Sequence, residues 1–390
     1  MRIKPKLIRI TTVPLSLEKL LEGQLSYMSR YYEVIAISSD NTRLQKVGEK
    51  EGVRTFCVEM TRRITPLQDL KSLWLLYRFF RRERPSIVHT HTPKAGTVGM
   101  IAAWLANVPN RLHTVAGLPL LESKGNKRKL LDIVEKITYK CSTLVLPNSY
   151  GLKDIILKEK LCNISKIKVI GNGSSNGINT SYFDPSLFSE EQKKTLRAEL
   201  NIDKDDFVFI FVGRLVGDKG INELIGAFDR ISDKYYCTKL LLVGPLEDDL
   251  DPLYKQTKEK IEQKDSIVSV GYQSDVRPYF SISDALVFPS YREGFPNVVM
   301  QAGSMGLPSI VSNINGCNEI IAEKENGIII PVKNANAIYE AMELFMTNRN
   351  LVSKMNSYAR EAIVAHYEQR VVWEALLAEY RSLEKIEQNV

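Results

Sequence analysis

The sequence predicts an α/β protein made of two successive doubly wound units, and three observations predict it. Short β-branched apolar runs alternate with longer amphipathic stretches. The alternation restarts once, after a Gly/Asn/Ser-rich stretch, and 390 residues suffice for two cores of ordinary domain size. Strands alternating with helices imply parallel sheets covered on both faces by the crossover helices.

In the first series, residues 7–11, 34–38, 87–90, 112–115 and 144–147 read as buried strands. Residues 171–177, Gly-Asn-Gly-Ser-Ser-Asn-Gly, break regular structure and mark a boundary near 180, which makes residues 1–180 the first domain. The second series runs through 207–212, 240–243, 267–270, 286–289, 310–312 and 328–330, so residues 181–366 form a second doubly wound domain. From residue 335 onward the pattern is helical. Tyr367, Val371, Trp373, Leu376, Leu377 and Tyr380 recur near helical spacing, as residues that dock a final helix, 367–390, on a core.

Hydrophobic residues at 44% and charged residues at 25% describe ordinary globular material. Five cysteines, scattered singly with no Cys-x-x-Cys, suggest neither a disulfide framework nor a zinc site and point to a reducing cytoplasm. Residues 1–10 lack the apolar run and cleavage site of a signal peptide. The longest apolar candidate, 98–108, falls far short of the roughly 20 residues that span a bilayer, so a soluble or peripheral protein is expected.

Charge is divided unevenly. Residues 1–180 hold 30 Lys and Arg against 14 Asp and Glu, a surplus of 16, and the remainder is acidic by 9. A basic half points to an anionic partner or to solvated helix faces. The basic amphipathic stretches 71–82 and 124–140 also read two ways: Leu73, Leu76, Tyr77 and Phe80 pack inward, or the aromatics enter an anionic membrane with Arg among the headgroups.

Two loops can carry chemistry in the second series. Strand 207–212 runs into Gly213-Arg214-Leu215-Val216-Gly217-Asp218-Lys219-Gly220, and residues 221–231 then read as a helix. Parallel sheets bind ligands at the carboxyl ends of their strands, glycines permit close backbone approach, and a helix N-terminus offers donors to an anion. Arg214 and Lys219 add two cations suited to a diphosphate, although such pairs also occur in plain turns. The Walker spacing is absent, and no Gly-x-Gly-x-x-Gly follows the first strand.

The second loop follows strand 286–289. Glu293 and Gly294 form a strand-to-helix turn, Pro296 suits a first helical turn, and Gln301 is placed about two turns in. A carboxylate and an amide so placed accept hydrogen bonds from sugar hydroxyls.

Gly-Arg-x5-Gly followed by Glu-Gly-Phe-Pro-x4-Gln-Ala, in the second of two doubly wound domains, resembles glycosyltransferase family four over nearly the whole chain. The resemblance implies the GT-B fold, with an acceptor-binding and a donor-binding Rossmann-like domain facing across a cleft and the last helix returning to the N-terminal domain. It implies retaining transfer of a hexose or N-acetylhexosamine from a nucleotide-diphosphate sugar, a UDP-sugar by preference. In that pattern Arg214 and Lys219, beside Gly213, hold the donor diphosphate, Glu293 meets the transferred sugar, and Gln301 meets the ribose. Gly294, Phe295, Pro296, Asn297 and Val298 lie against sugar and phosphates, and Tyr272 flanks the base. Gln301 departs from the usual second glutamate, which weakens any mechanism needing two carboxylates.

In the N-terminal half the resemblance places Gly23, His91 and Lys94 on the acceptor side of the cleft. His89-x-His91 is also a metal pair in form, but no third ligand stands in a motif with it. Ala116 occupies the place where the family often supplies a histidine, and His113 reads as a buried strand residue. Asp249-x-Asp251 reads as an exposed acidic loop. No metal and no cofactor are expected beyond the nucleotide sugar.

The expected acceptor is lipid-linked or a saccharide; the basic first domain, the scattered cysteines and the lack of a signal favour a polyprenyl-diphosphate saccharide of surface polysaccharide synthesis, met in the cytoplasm or at the inner face of the membrane, with no role for nucleic acid. Two rivals stand beside this reading: a GT-B-fold nucleotide-sugar epimerase, and a nucleotide-sugar-binding protein that has lost catalysis, the latter motivated by Gln301 and Ala116.

Overall fold

The computed structural model describes residues 4–388 apart from Arg62, Ile64, Asp248 and Leu250. Residues 1–3 of the N-terminal reading, Leu250 of the Asp249-x-Asp251 motif and the last two residues of the expected final helix lie outside the described residues. The chain divides into two compact units, residues 1–176 with 370–390, and residues 177–369. The sequence-based cuts fall at 180 and 366.

The first unit contains six parallel strands: β1 (Lys6–Ile10), β2 (Glu33–Ser38), β3 (Arg54–Cys57), β4 (Ile87–His91), β5 (Asn110–Val115) and β6 (Leu144–Pro147). Their order is β3-β2-β1-β4-β5-β6. The second unit repeats this topology with β7 (Phe207–Val212), β8 (Thr238–Val243), β9 (Ile267–Ser269), β10 (Ala285–Phe288), β11 (Ser309–Ser312) and β12 (Gly327–Ile330), in the order β12-β11-β10-β7-β8-β9. Both are the doubly wound order. In it the chain winds in opposite senses on either side of the first and fourth strands, so the loops leaving their carboxyl ends diverge and open a crevice.

Strand residues alternate between the sheet faces. In the first unit Leu7, Val34, Ala36, Ile87 and Leu112 share one core with Leu376, Leu377 and Tyr380 of the C-terminal helix (Gln369–Gln388). Ile8, Ile10, Ile35, Ile37 and Val88 face the other way, onto the helices Pro66–Glu83 and Pro93–Leu105. The final helix therefore covers the first unit's sheet, as the fold class requires. The second unit has one continuous core in which Phe207, Phe209, Phe211 and Phe228 are buried.

Three details differ from the sequence reading. β3 is not anticipated, because it is an edge strand of one exposed and three half-exposed residues, Arg-Thr-Phe-Cys, paired through β2. Tyr367 does not belong to the final helix; it ends the helix Arg349–Tyr367 and packs in the second unit, 5.4 Å from the Phe295 ring. Val371 is exposed and Val372 takes the buried position assigned to it, because the docking face begins one residue later.

Candidate functional site

In the second unit the switch point lies between β7 and β10, and both predicted loops leave the carboxyl ends of those strands. After β7 the chain passes Gly213 and Arg214, makes a short 3-10 turn at Gly217–Lys219, and enters the helix Ile221–Lys234 through Gly220. Gly220 is left-handed at φ 72°, and a Cβ there would strike the Pro289 carbonyl at the end of β10. Close approach of the two loops thus depends on a missing side chain.

That approach brings together residues 74 positions apart. Lys219 Nζ lies 2.5 Å from Glu293 Oε1, with the two side chains 16% and 20% exposed. The hydroxyl of Ser290, itself fully buried, donates to the same Oε1 over 3.0 Å. The Tyr291 amide donates to the Asp218 carbonyl (2.9 Å), and Arg292 pairs with the Asp218 carboxylate (3.0 Å). Arg214 points elsewhere: its Nη1 is 3.1 Å from Glu247 Oε2 in the loop after β8, and its side chain is 42% exposed.

Asp251 is not idle in its acidic loop. Its carboxylate accepts from the Asp218 amide at 2.6 Å and its carbonyl accepts from Gly217 at 3.0 Å, which braces the turn that carries Lys219. Gly316, after β11, lies against the Gly294 carbonyl and Phe295 Cα, so a Cβ there would press on the second loop. Burial and, next, the Glu293 carboxylate push the Cys317 thiol well above its ordinary range.

The helix after the second loop spans Asn297–Ser304, with Pro296 preceding it as N-cap rather than standing in its first turn. Gln301 is consequently its fifth residue, just over one turn in instead of two, and is half-buried. Phe295 is buried, Gly294 and Val298 are half-buried, and Asn297 is exposed. Tyr272 lies in the loop after β9 and is exposed, while the neighbouring Gln273 side chain is tied to the Val270 carbonyl at 2.8 Å.

In the first unit the three remaining residues each have partners of their own. Gly23 is the left-handed N-cap of the helix Gln24–Ser29, its amide donates to Glu51 at 2.8 Å, and a Cβ on it would meet the Trp373 ring of the C-terminal helix. Lys94 is paired with Asp69 and is largely buried. His91 ends β4 and is buried beside the fully buried Arg9 of β1, whose Nη2 lies 2.8 Å from His91 Nε2. A guanidinium only donates, so that imidazole nitrogen is the acceptor and His91 is neutral.

Arg9 also donates to Gln24 Oε1 (2.5 Å) and the Tyr380 hydroxyl (3.1 Å), and Tyr380 in turn lies 2.6 Å from His89 Nδ1. His89 Nε2 is 2.7 Å from the Thr114 hydroxyl, and His113 Nδ1 is 2.8 Å from that of Thr90. Burial holds all three imidazoles below their ordinary range, His113 at about 4. His89 and His91 thus join a buried network, and among the described residues no group of three His, Cys, Asp or Glu is arranged to hold a metal ion. Ala116 is exposed just past β5.

Sequence reasoning missed Glu247 and Gly316, read Asp251 only as part of an exposed acidic loop, and met Ser290 only as the first residue of the second loop. Each lies in a loop after the carboxyl end of a strand of the second sheet, which is the one signal that marks its role in the sequence.

The family described as glycosyl transferases group 1 matches residues 192–362, and the glycosyl transferase 4-like domain matches residues 25–173. A capsular polysaccharide biosynthesis glycosyltransferase, CapM of Staphylococcus aureus, is 33% identical over 388 residues, covering 97% of this chain and 98% of its own. The Escherichia coli UDP-Gal:alpha-D-GlcNAc-diphosphoundecaprenol alpha-1,3-galactosyltransferase is 32% identical over 320 residues, 80% of each chain. Among solved structures, a glycosyltransferase from Rickettsia africae superposes with a TM-score of 0.80 at 20% identity, covering 98% of this chain and 99% of that one. Anabaena HepE in complex with UDP and glucose gives 0.80 at 16%, covering 97% and 100%.

Proposed function

The chain belongs to the group 1 glycosyl transferases, and on that premise we propose that its second unit binds a nucleotide-diphosphate sugar, UDP-linked by preference, and passes the sugar with retained configuration to a polyprenyl-diphosphate saccharide. The observation that carries this reading is the meeting of Lys219 and Glu293, from two loops, at the switch point of the second sheet. The Staphylococcus aureus relative's part in capsule synthesis and the donor and lipid acceptor in the Escherichia coli relative's name support the substrate classes.

Breaking the bond between the anomeric carbon and the diphosphate puts negative charge on the leaving phosphate and positive character on the sugar. Lys219, with three donors and one given to Glu293, directs another at the diphosphate, and Arg214 turns from the half-exposed Glu247 to grip it as a fork. Glu293 commits Oε1 to Lys219 and Ser290 and offers Oε2 to a sugar hydroxyl. Gln301 accepts from the ribose, Tyr272 flanks the base, and the backbone of residues 294–298 lies along sugar and phosphates. The acceptor hydroxyl attacks the anomeric carbon from the side the diphosphate leaves, and its proton passes to the departing phosphate oxygen. Arg214 and Lys219 supply the charge, so the scheme uses no metal ion, and the enzyme works at the cytoplasmic side of the membrane.

These relatives are transferases, and neither the epimerase nor the inactive-binder reading finds support among them. The test is a thermal-shift panel of nucleotide sugars followed by transfer from the stabilising donor to a polyprenyl-diphosphate saccharide, with chelator present. Donor-dependent product in chelator is expected. Absence of any stabilising nucleotide sugar, or dependence on added metal, overturns the scheme.

A further inference from the structure

In the first unit the helices Pro66–Glu83, Pro93–Leu105 and Gly125–Cys141 pack side by side over one face of the sheet. The outermost stripe of such a layer should be polar. In the first of these helices Ser72, Leu76, Phe79 and Phe80 are buried, yet Leu67 (87% exposed), Leu70 and Trp74 (51%) stand within about 60° of one another on the opposite side. Arg78 and Arg81 continue the same stripe, and the Arg78 guanidinium lies 4.6 Å from the Trp74 ring centroid.

The third helix repeats the spacing with Leu130, Ile133 (55% exposed) and Ile137, flanked by the exposed Lys129, Lys136 and Lys140. Between them, the middle helix ends in the exposed Trp104 and Leu105. The carboxylates of the two outer helices are occupied or buried: Asp69 pairs with Lys94, Glu83 with Lys6, Asp132 with Lys136, and Glu135 is buried. The layer therefore presents apolar side chains set among cations.

We propose that this three-helix face docks on an anionic lipid surface, with Leu67, Leu70, Trp74, Ile133 and Ile137 entering the acyl boundary and the Arg and Lys side chains at the headgroups. A second copy is a poor occupant, because a two-fold contact would set this basic face against itself. Separate stripes on neighbouring helices, rather than one pocket, suit a fluid partner. The inference rests on the lipid-linked acceptor only for its purpose, and vesicle binding is read without donor or acceptor, so its failure is distinct from failure of transfer.

The full chain is sedimented with phosphatidylglycerol–phosphatidylcholine vesicles and with phosphatidylcholine alone. Binding to the anionic vesicles only, weakened by salt, with a blue shift of tryptophan emission, is expected. The variant Leu70→Ser/Trp74→Ser/Ile133→Ser should lower partitioning by about tenfold or more while keeping its melting temperature, since all three side chains are exposed. Arg78→Glu/Lys129→Glu should lose the preference for anionic vesicles, and it tests the face even where the first variant fails to fold. Equal binding by these variants, no binding by the parent chain, or a dimer in sedimentation that the serine variant dissociates would overturn the proposal.

Discussion

Lys219 Nζ and Glu293 Oε1 are 2.5 Å apart, joined across the mouth of the second sheet and steadied by the Ser290 hydroxyl at 3.0 Å. The pair is about four-fifths buried, so removal of either partner leaves a poorly solvated charge and, in the proposed scheme, an empty place beside the leaving group. Lys219→Ala is expected to lower kcat/KM by about 10² to 10³. Ser290→Ala, which removes one of the two donors that hold Glu293 Oε1, should cost about tenfold with little change in melting temperature. Steady-state kinetics on both variants check this, and near-normal turnover in Lys219→Ala removes Lys219 from the mechanism.

Arg214 and Glu247 make a different kind of pair, half-exposed and held at 3.1 Å. Solvent-accessible pairs contribute between 0 and about 1 kcal/mol, so in the proposed scheme Glu247 competes only weakly for the guanidinium assigned to the donor diphosphate. Glu247→Gln should therefore tighten donor binding by about two- to fivefold, more at low salt than at high. Titration calorimetry with the stabilising nucleotide sugar at two ionic strengths measures it; weaker binding in this variant would mean that Glu247 itself contacts the donor.

Gly220 meets two demands at once, a left-handed φ of 72° and contact with the Pro289 carbonyl. Alanine satisfies neither, so Gly220→Ala should cost more than about 1 kcal/mol in stability and separate Lys219 from Glu293. Urea unfolding and donor thermal shift should both fall. Retention of both would show that the two loops approach independently of this glycine.

Much of this arrangement is legible in the chain itself. Buried parallel strands such as Phe207–Val212 announce themselves as continuous apolar runs, and topology then puts Arg214, Lys219 and Glu293 at carboxyl ends without further information. What stays hidden depends on partners distant in sequence. Ser290 matters because Glu293 Oε1 is turned toward it, Asp251 because the Gly217–Lys219 turn leaves an amide for it, and Arg9 because Tyr380, 371 residues away, closes over it. β3 was illegible for another reason: at a sheet edge no apolar run is needed.

The buried histidines make stability depend on pH. His89, His91 and His113 have folded-state values below the ordinary 6.5 because burial disfavours the imidazolium. The unfolded chain therefore binds more protons as pH falls, and stability that is full above about pH 6.5 is lost below it, by about 1 kcal/mol per pH unit for each histidine, with His113 ceasing to contribute below about 4. Glu135 and Asp284 are pushed up by burial and act in the opposite sense. The comparison of parent and His89→Gln/His113→Asn chains isolates the imidazole contribution, because both carry the same carboxyls. Urea midpoints measured between pH 7.5 and 4.5 should fall more steeply in the parent than in the double variant. Parallel curves would place the protons elsewhere and would mean that His89 and His113 are charged, or exposed, in the folded chain.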